Sequence, residues 1–202
     1  TALMERVDPR VPGRRIALHA GSRPRLHGGR PRGRSRKAGD IGPRAVVRVR
    51  RLVLLRHGQT QSNADSRMQG QLDTELTDLG RAQAVAAAEV LAKRQPLVIY
   101  SSDLRRARET AVELAAHSDQ QVHLDRRLRE TDLGDWQGKT HHEVDAEVPG
   151  ARLAWRDDAR LTPHGGESRI DVADRSVPLV AEIFGNEPEW GDDDCDRPVV
   201  LV

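Results

Sequence analysis

A histidine flanked by a cation and a glycine, Arg56-His57-Gly58, closes the short apolar run Leu52-Val53-Leu54-Leu55. An aliphatic run that stops so abruptly reads as a buried strand, which delivers the three residues to one end of a sheet. An imidazole beside a permanent cation suits phosphate chemistry, because the ring nitrogen is a nucleophile and a guanidinium pairs with phosphoryl oxygens. Alone, the triplet is weak evidence. Asn63 and Gln69 follow it, and two more polar clusters follow later apolar runs: Ser101-Ser102-Asp103-Leu104-Arg105-Arg106 and Arg129-Glu130. Brought together, these would set two arginines and a helix N-terminus around an anion. They would also set a histidine against phosphorus and a carboxyl beside the leaving oxygen.

The elements that must position these groups alternate in type. After the first strand and a polar loop over residues 59–73, Thr77-Asp78-Leu79-Gly80 opens an alanine-rich helix that Pro96 stops. Its spacing predicts a buried face of Leu79, Ala82, Ala86 and Val90. Leu97-Val98-Ile99-Tyr100 is a second strand, followed by a helix with Leu104, Ala107, Ala111 and Leu114 inward. Val122-His123-Leu124 is a third strand, and a short helix covers His141 to Glu147 before Pro149-Gly150. Residues Gly165 to Phe184 form a further helix with Ile170, Ala173, Val177, Val180 and Phe184 on its apolar face, and Pro178 implies a kink or a late start. Pro198 to Val202 is the last central strand. This alternation predicts an α/β fold with a largely parallel sheet, whose ligand crevice lies beyond the carboxyl ends of the strands.

Length and composition bound the possibilities. The 202 residues are 37% hydrophobic, 2% aromatic and 32% charged, long enough for one domain with its own core. No apolar run approaches a membrane span, so no membrane partner is expected. The formal net charge of +2 hides an asymmetry: residues 1–47 carry about +9 and the remainder about −7. Residues 1–47 form an Arg/Gly/Pro-rich extension without apolar period, expected to be disordered, and residues 48–202 the folded domain. Arginines in that arm could neutralise phosphates, but no aromatic is interleaved to stack on bases, so nucleic acid is not the expected partner. Arg14-Arg15 is followed only by Ile16-Ala17-Leu18, too short for the apolar region of an export signal. The single cysteine, Cys195, forms no internal disulfide and fits a reducing, cytoplasmic compartment. No cofactor or metal is expected: His141-His142 are adjacent on a helix and point apart, and no ligand cluster has metal spacing.

Three motifs in order carry a resemblance. Leu-Leu-Arg-His-Gly-Gln-Thr with Asn63, Ser-Ser-Asp-Leu-Arg-Arg-Ala, and Leu-Arg-Glu-Thr with Gly134-Asp135-Trp136-Gln137-Gly138 resemble the histidine phosphatase superfamily over about residues 49 to 202. Within that superfamily, the run Ser66 to Leu76, Pro163-His164-Gly165-Gly166-Glu167-Ser168, and Glu187-Pro188-Glu189-Trp190-Gly191 resemble the glucosyl-3-phosphoglycerate phosphatases. The resemblance implies a three-layer α/β/α sheet of phosphoglycerate-mutase-like type. It also implies metal-free hydrolysis of a small phosphate ester, such as glucosyl-3-phosphoglycerate, through a phosphohistidine. By that likeness His57 is the nucleophile, Arg56 and Arg106 hold phosphoryl oxygens with Asn63 beside them, and Gln69 faces the substrate. Glu130 protonates the leaving alkoxide and then deprotonates the attacking water.

Other residues read more plainly. Arg105 is a solvated neighbour of Arg106, Arg127 and Arg129 are surface charge, His141 and His142 are exposed, and Trp136 is a plug under its loop. The family pattern also calls for a second histidine in a His-Gly step directly after the last central strand, Pro198 to Val202, and no residue of this sequence stands there. His164-Gly165 follows Thr162-Pro163 rather than an apolar strand and reads as loop near the substrate entrance. On this reading the chain is a copy lacking its C-terminal elements, with one pocket wall missing and its last central strand left as an uncovered apolar edge. Three outcomes stay open at this point: a phosphomonoesterase, a catalytically impaired fragment, and a mutase-type phosphoryl transferase. A homodimer is equally open.

Overall fold

The computed structural model describes residues 49–192 and 195–202; the basic extension and the readings attached to it lie outside those residues. Four short strands form the centre: β1 (Leu52–Leu54), β2 (Val98–Ser101), β3 (Val122–Leu124) and β4 (Val199–Leu201). All neighbours are parallel, in the order β1-β4-β2-β3. The helices are α1 (Gln61–Ala64), α2 (Asp78–Leu91), α3 (Arg105–Ser118), α4 (His141–Glu147), α5 (Ala151–Asp157) and α6 (Arg169–Asn186).

Side chains alternate across the pleat as period two requires. Ile99 and Val200 face Ala88 of α2 and Ala111 and Leu114 of α3, whereas Val98, Val199 and Leu201 face Leu179 and Ile183 of α6 and Trp190. The result is the expected three-layer α/β/α arrangement. Local chemistry sets the helix starts. Thr77 accepts from the Gly80 N–H at α2, and Thr60, Thr140 and Ser168 form capping boxes with Asn63, Glu143 and Asp171 at α1, α4 and α6. Two of these elements, α1 inside the polar loop and α5 after Gly150, were not anticipated from periodicity; both are short.

Three expectations about burial are overturned. On α2 the buried row is Gly80, Ala84 and Ala88, while Leu79 and Val90 are 54% and 63% exposed. Small residues let α2 approach its neighbours closely, so the packing row follows the smallest side chains rather than the largest. On α6 the buried residues are Leu179 and Ile183. Ile170, Val177 and Phe184 are exposed, and the helix runs through Pro178 rather than starting after it. Phe184 instead stacks on Trp190, ring centroids 4.7 Å apart. The last central strand is not an open edge: β4 lies between β1 and β2 with all three residues buried, and the edges are β1, where Leu52 and Leu54 are exposed, and β3, where Leu124 is.

The topology places the polar clusters where the sequence reading expected them. β1, β2 and β3 end at one side of the sheet, and the chain leaves them toward His57, Arg106 and Glu130 respectively. The β1 exit is fixed by a close approach of backbone to backbone. A Cβ on Gly58 would collide with the Gly80 carbonyl, and one on Gly80 with the Gln59 carbonyl, so neither position has room for a side chain. Among the described residues no helix is long and apolar enough to cross a membrane.

Candidate active site

His57 has a defined protonation pattern. Its Nδ1 lies 2.6 Å from the Gly58 carbonyl oxygen, and Arg106 Nε lies 3.2 Å from its Nε2. A carbonyl only accepts and a guanidinium only donates, so Nδ1 carries the proton and Nε2 presents a lone pair. Burial pushes the ring pKa down to about 4; the Gly58 hydrogen bond opposes that shift, and the Arg106 and Arg56 charges add to it. At neutral pH the imidazole is therefore an uncharged base with its nucleophilic nitrogen aimed at the cationic side of the site.

This shift has a sign that can be tested. Between the ordinary value of 6.5 and about 4 the unfolded chain binds a proton at His57 that the folded chain does not. Stability contributed by this group is thus intact above that window and falls as the pH drops through it. We expect the His57 ring resonance, identified by its loss in His57→Gln, to titrate near pH 4 in an NMR series. A midpoint near 6.5 would contradict the buried, neutral state.

Arg106 is 1% exposed and its fork is nearly saturated. Besides His57, Nη1 donates to the Leu72 carbonyl at 2.7 Å, and Nη2 donates to the Gly70 carbonyl at 2.7 Å and to Glu130 Oε2 at 2.8 Å. A buried cation needs such partners. Thr110 ties this helix turn to β1, its hydroxyl donating to the Arg106 carbonyl at 2.8 Å and accepting from the Gly58 N–H at 3.2 Å. Arg56 is exposed, makes no hydrogen bond among the described residues, and reaches His57 through its field.

The two predicted amides are held by their oxygens. Asn63 Oδ1 accepts from the Thr60 N–H at 3.1 Å and lies 3.0 Å from the Thr60 hydroxyl oxygen. Gln69, 4% exposed, accepts at Oε1 from Thr60 and Thr74 hydroxyls at 2.8 and 2.6 Å. The Thr60 N–H thus orients the Asn63 amide and hydroxyl donors the Gln69 amide, and neither NH₂ end has a partner among the described residues.

Glu130 closes the cluster. Its side chain is 45% exposed and ion-paired with Arg106. Its main-chain carbonyl accepts from Gln71 Nε2 at 3.3 Å and Arg175 Nη2 at 3.1 Å. The arrangement thus joins a neutral nucleophile, a buried guanidinium, oriented amide donors and a solvent-accessible carboxyl, the set that acyl or phosphoryl transfer to a side chain requires.

Several neighbours differ from their sequence reading. Arg129 is not free surface charge: it forks onto Asp103 with both distances 2.6 Å and reaches Gln71, holding the Asp103 carboxyl below its usual range. Arg127 bridges Asp125 and Glu182. The α3 N-terminus is already occupied, since Asp73 accepts from the Arg105 N–H at 2.7 Å. Arg105 itself is exposed and pairs with Glu75, His141 and His142 are exposed, and Trp136 is buried against Leu133 and Val144, as expected. His164 is exposed, 2.8 Å from Asp135, and does not join the cluster. Residues that sequence reasoning missed are Gln71, Gln137, Glu167 and Arg175. Gln137 accepts from the Gln71 N–H at 2.5 Å, and only the Gly-Glu-Ser cap of α6 hinted at Glu167.

Most of the described chain is similar to known proteins. Residues 52–191 match the model of the histidine phosphatase superfamily (branch 1). The glucosyl-3-phosphoglycerate phosphatase of Mycolicibacterium vanbaalenii is 73% identical over 156 residues, covering 77% of this chain and 69% of that protein. That of Mycobacterium tuberculosis is 69% identical over 157 residues, covering 77% and 70%. A solved structure of the mycobacterial glucosyl-3-phosphoglycerate phosphatase with VO₃ superposes with a TM-score of 0.74 at 70% identity, covering 76% of this chain and 74% of that one. The alpha-ribazole phosphatase of Shigella flexneri gives 0.63 at 27% identity, covering 75% and 72%. The chain belongs to the histidine phosphatase superfamily.

Proposed function

We propose that this chain is a phosphomonoesterase that hydrolyses glucosyl-3-phosphoglycerate, in the cytoplasm and without metal, through a phosphohistidine at His57. The observation that carries the reading is the state of His57. With Nδ1–H bound to the Gly58 carbonyl and Nε2 facing Arg106, the ring is the neutral tautomer that can attack phosphorus.

The reaction runs in two displacements. Nε2 attacks phosphorus as the ester P–O bond breaks, and the carboxyl of Glu130 gives its proton to the departing alkoxide. Water then attacks the phosphohistidine, Glu130 takes its proton, the P–N bond breaks and the ring is restored. Charge builds on the three equatorial oxygens throughout, so fixed donors stabilise the transition state most. Arg106, Arg56, and the NH₂ ends of Asn63 and Gln69 supply them. An arriving phosphoryl group takes over Arg106 hydrogen bonds that Glu130 and His57 hold in its absence, and the Glu130 carboxylate so released takes a proton from solvent before it gives one to the leaving group.

Phosphate release from glucosyl-3-phosphoglycerate, measured beside 3-phosphoglycerate and other sugar phosphates, tests the reading. Preference in kcat/KM for the glucosyl ester by about tenfold or more is expected, a margin of some 1.4 kcal/mol in transition-state binding. A stronger preference for another ester would overturn the substrate, and phosphate retained on the product would overturn hydrolysis.

A further inference from the structure

Glu130 is carried by irregular chain, six residues beyond the end of β3 and outside any helix. Neither its own N–H nor that of Thr131 is paired among the described residues, and its carboxyl has a single partner. A side chain so placed is positioned only as well as its backbone is held.

One arginine reaches that backbone from α6 at two carbonyls. Arg175, in the second turn of α6, donates through Nη1 to the Arg127 carbonyl at 2.6 Å and through Nη2 to the Glu130 carbonyl at 3.1 Å, gripping the segment at two points three residues apart. Its Nε and Nη2 also fork onto Glu167, both distances 3.0 Å. Glu167 in turn grips the far side of the same segment. Its Oε2 accepts from the Asp132 N–H at 2.9 Å, and its own N–H donates to the Asp132 carbonyl at 2.8 Å. Gln71 is drawn in as well, donating to Glu167 and to the Glu130 carbonyl. Glu167 and Arg175 are each largely shielded, with side chains 25% and 20% exposed, so this pair is better insulated from solvent than a surface bridge. Arg175 keeps the Glu167 carboxyl below the usual carboxylate range, so the grip persists into mildly acidic solution. No hydrogen bond links either residue to His57 or to the Arg106 guanidinium.

We infer that Arg175 and Glu167 are positioning residues that fix the 127–132 segment, and through it set the Glu130 carboxyl at the leaving oxygen. The inference rests on the phosphatase reading and adds to it a determinant of the proton-transfer step alone. The pair does not touch phosphorus or its oxygens, so its loss should spare the attack by His57 and impair leaving-group protonation. An alkoxide needs that proton, whereas a nitrophenolate is a weak enough base to depart without it.

The experiment compares Arg175→Lys and Glu167→Gln in the full chain on an alkyl ester, glucosyl-3-phosphoglycerate, and on p-nitrophenyl phosphate. Lysine keeps the charge but cannot bridge two carbonyls and a carboxylate, and glutamine keeps the shape while losing the ionic fork. Each variant should lose about 10–100-fold in kcat on the alkyl ester, with KM little changed, and no more than about threefold on the aryl ester. In a Glu130→Gln background the same substitutions should have no further effect on the alkyl ester, since there is no acid left to position. Equal losses on both esters, or undiminished losses in the Glu130→Gln background, would overturn the inference while leaving the phosphatase reading intact. A wild-type chain that releases phosphate from neither ester would overturn both. If one variant does not fold, as thermal unfolding will show, the other carries the comparison.

Discussion

Replacing His57 with glutamine is expected to lower phosphate release by about 10⁴-fold or more, to the rate of chain lacking any nucleophile. Glutamine retains much of the volume and can still donate to the Gly58 carbonyl, so the β1 exit, held also by the Gly58–Thr110 hydrogen bond and the Gly58–Gly80 contact, should keep its shape. What disappears is the lone pair at Nε2. Direct attack by water cannot replace it well, because Glu130 lies on the leaving-group side in the proposed geometry, Arg106 only donates, and the amide oxygens of Asn63 and Gln69 are already engaged. The covalent step makes the test specific. Chain exposed briefly to ³²P-labelled ester and quenched in alkali should hold label that acid removes, the behaviour of a nitrogen–phosphorus bond, and His57→Gln should hold none. Label retained by the variant would assign the nucleophile elsewhere.

The convergence of the candidate groups was legible in the sequence because each follows a strand in chain order. Arg56-His57-Gly58, Arg106 and Glu130 all follow runs whose apolar character marks them as strands or entries to helices, and parallel order then forces them to one side of the sheet. The hands that hold those groups were not legible, because their partners are far apart in sequence. Arg129 finds Asp103, Arg175 finds the Arg127 and Glu130 carbonyls, and Gln137 finds the Gln71 N–H, pairings that periodicity does not encode. The helix faces failed for a related reason. Hydrophobic spacing identifies an apolar stripe but not which stripe has a neighbour. On α2 the close-packing Gly80-Ala84-Ala88 row prevailed over Leu79 and Val90, and on α6 Leu179 and Ile183 prevailed over Ile170 and Val177. The same limit hid the edges: strand character was clear for β1, β3 and β4 alike, but only the sheet order puts β4 inside and β1 and β3 outside.

Arg106→Lys separates the two cations that the sequence presented as equivalent. Arg106 is buried, and its guanidinium joins two main-chain carbonyls, a carboxylate and His57 Nε2, while Arg56 is exposed and acts at a distance. An ammonium cannot span those four acceptors, so the Gly70 and Leu72 carbonyls cannot both be satisfied by it, and each buried acceptor left unpaired costs about 1–3 kcal/mol. Arg106→Lys should therefore lower the unfolding temperature as well as kcat/KM, the latter by on the order of 10²–10³ through loss of a fixed fork on the phosphoryl oxygens. Arg56→Lys should leave stability within about 0.5 kcal/mol of the parent, as a surface change does, and weaken only catalysis. The ring titration supplies an independent check. Arg106→Ala removes one of the charges that hold the His57 pKa down, so its midpoint should move up from about 4 toward 6.5. Deleting Arg56 should move it the same way but less, because the Arg106 charge is the larger of the two influences. Equal stability losses at the two positions, or a His57 midpoint indifferent to Arg106, would mean that the guanidinium does not do its work from the buried seat beside Nε2.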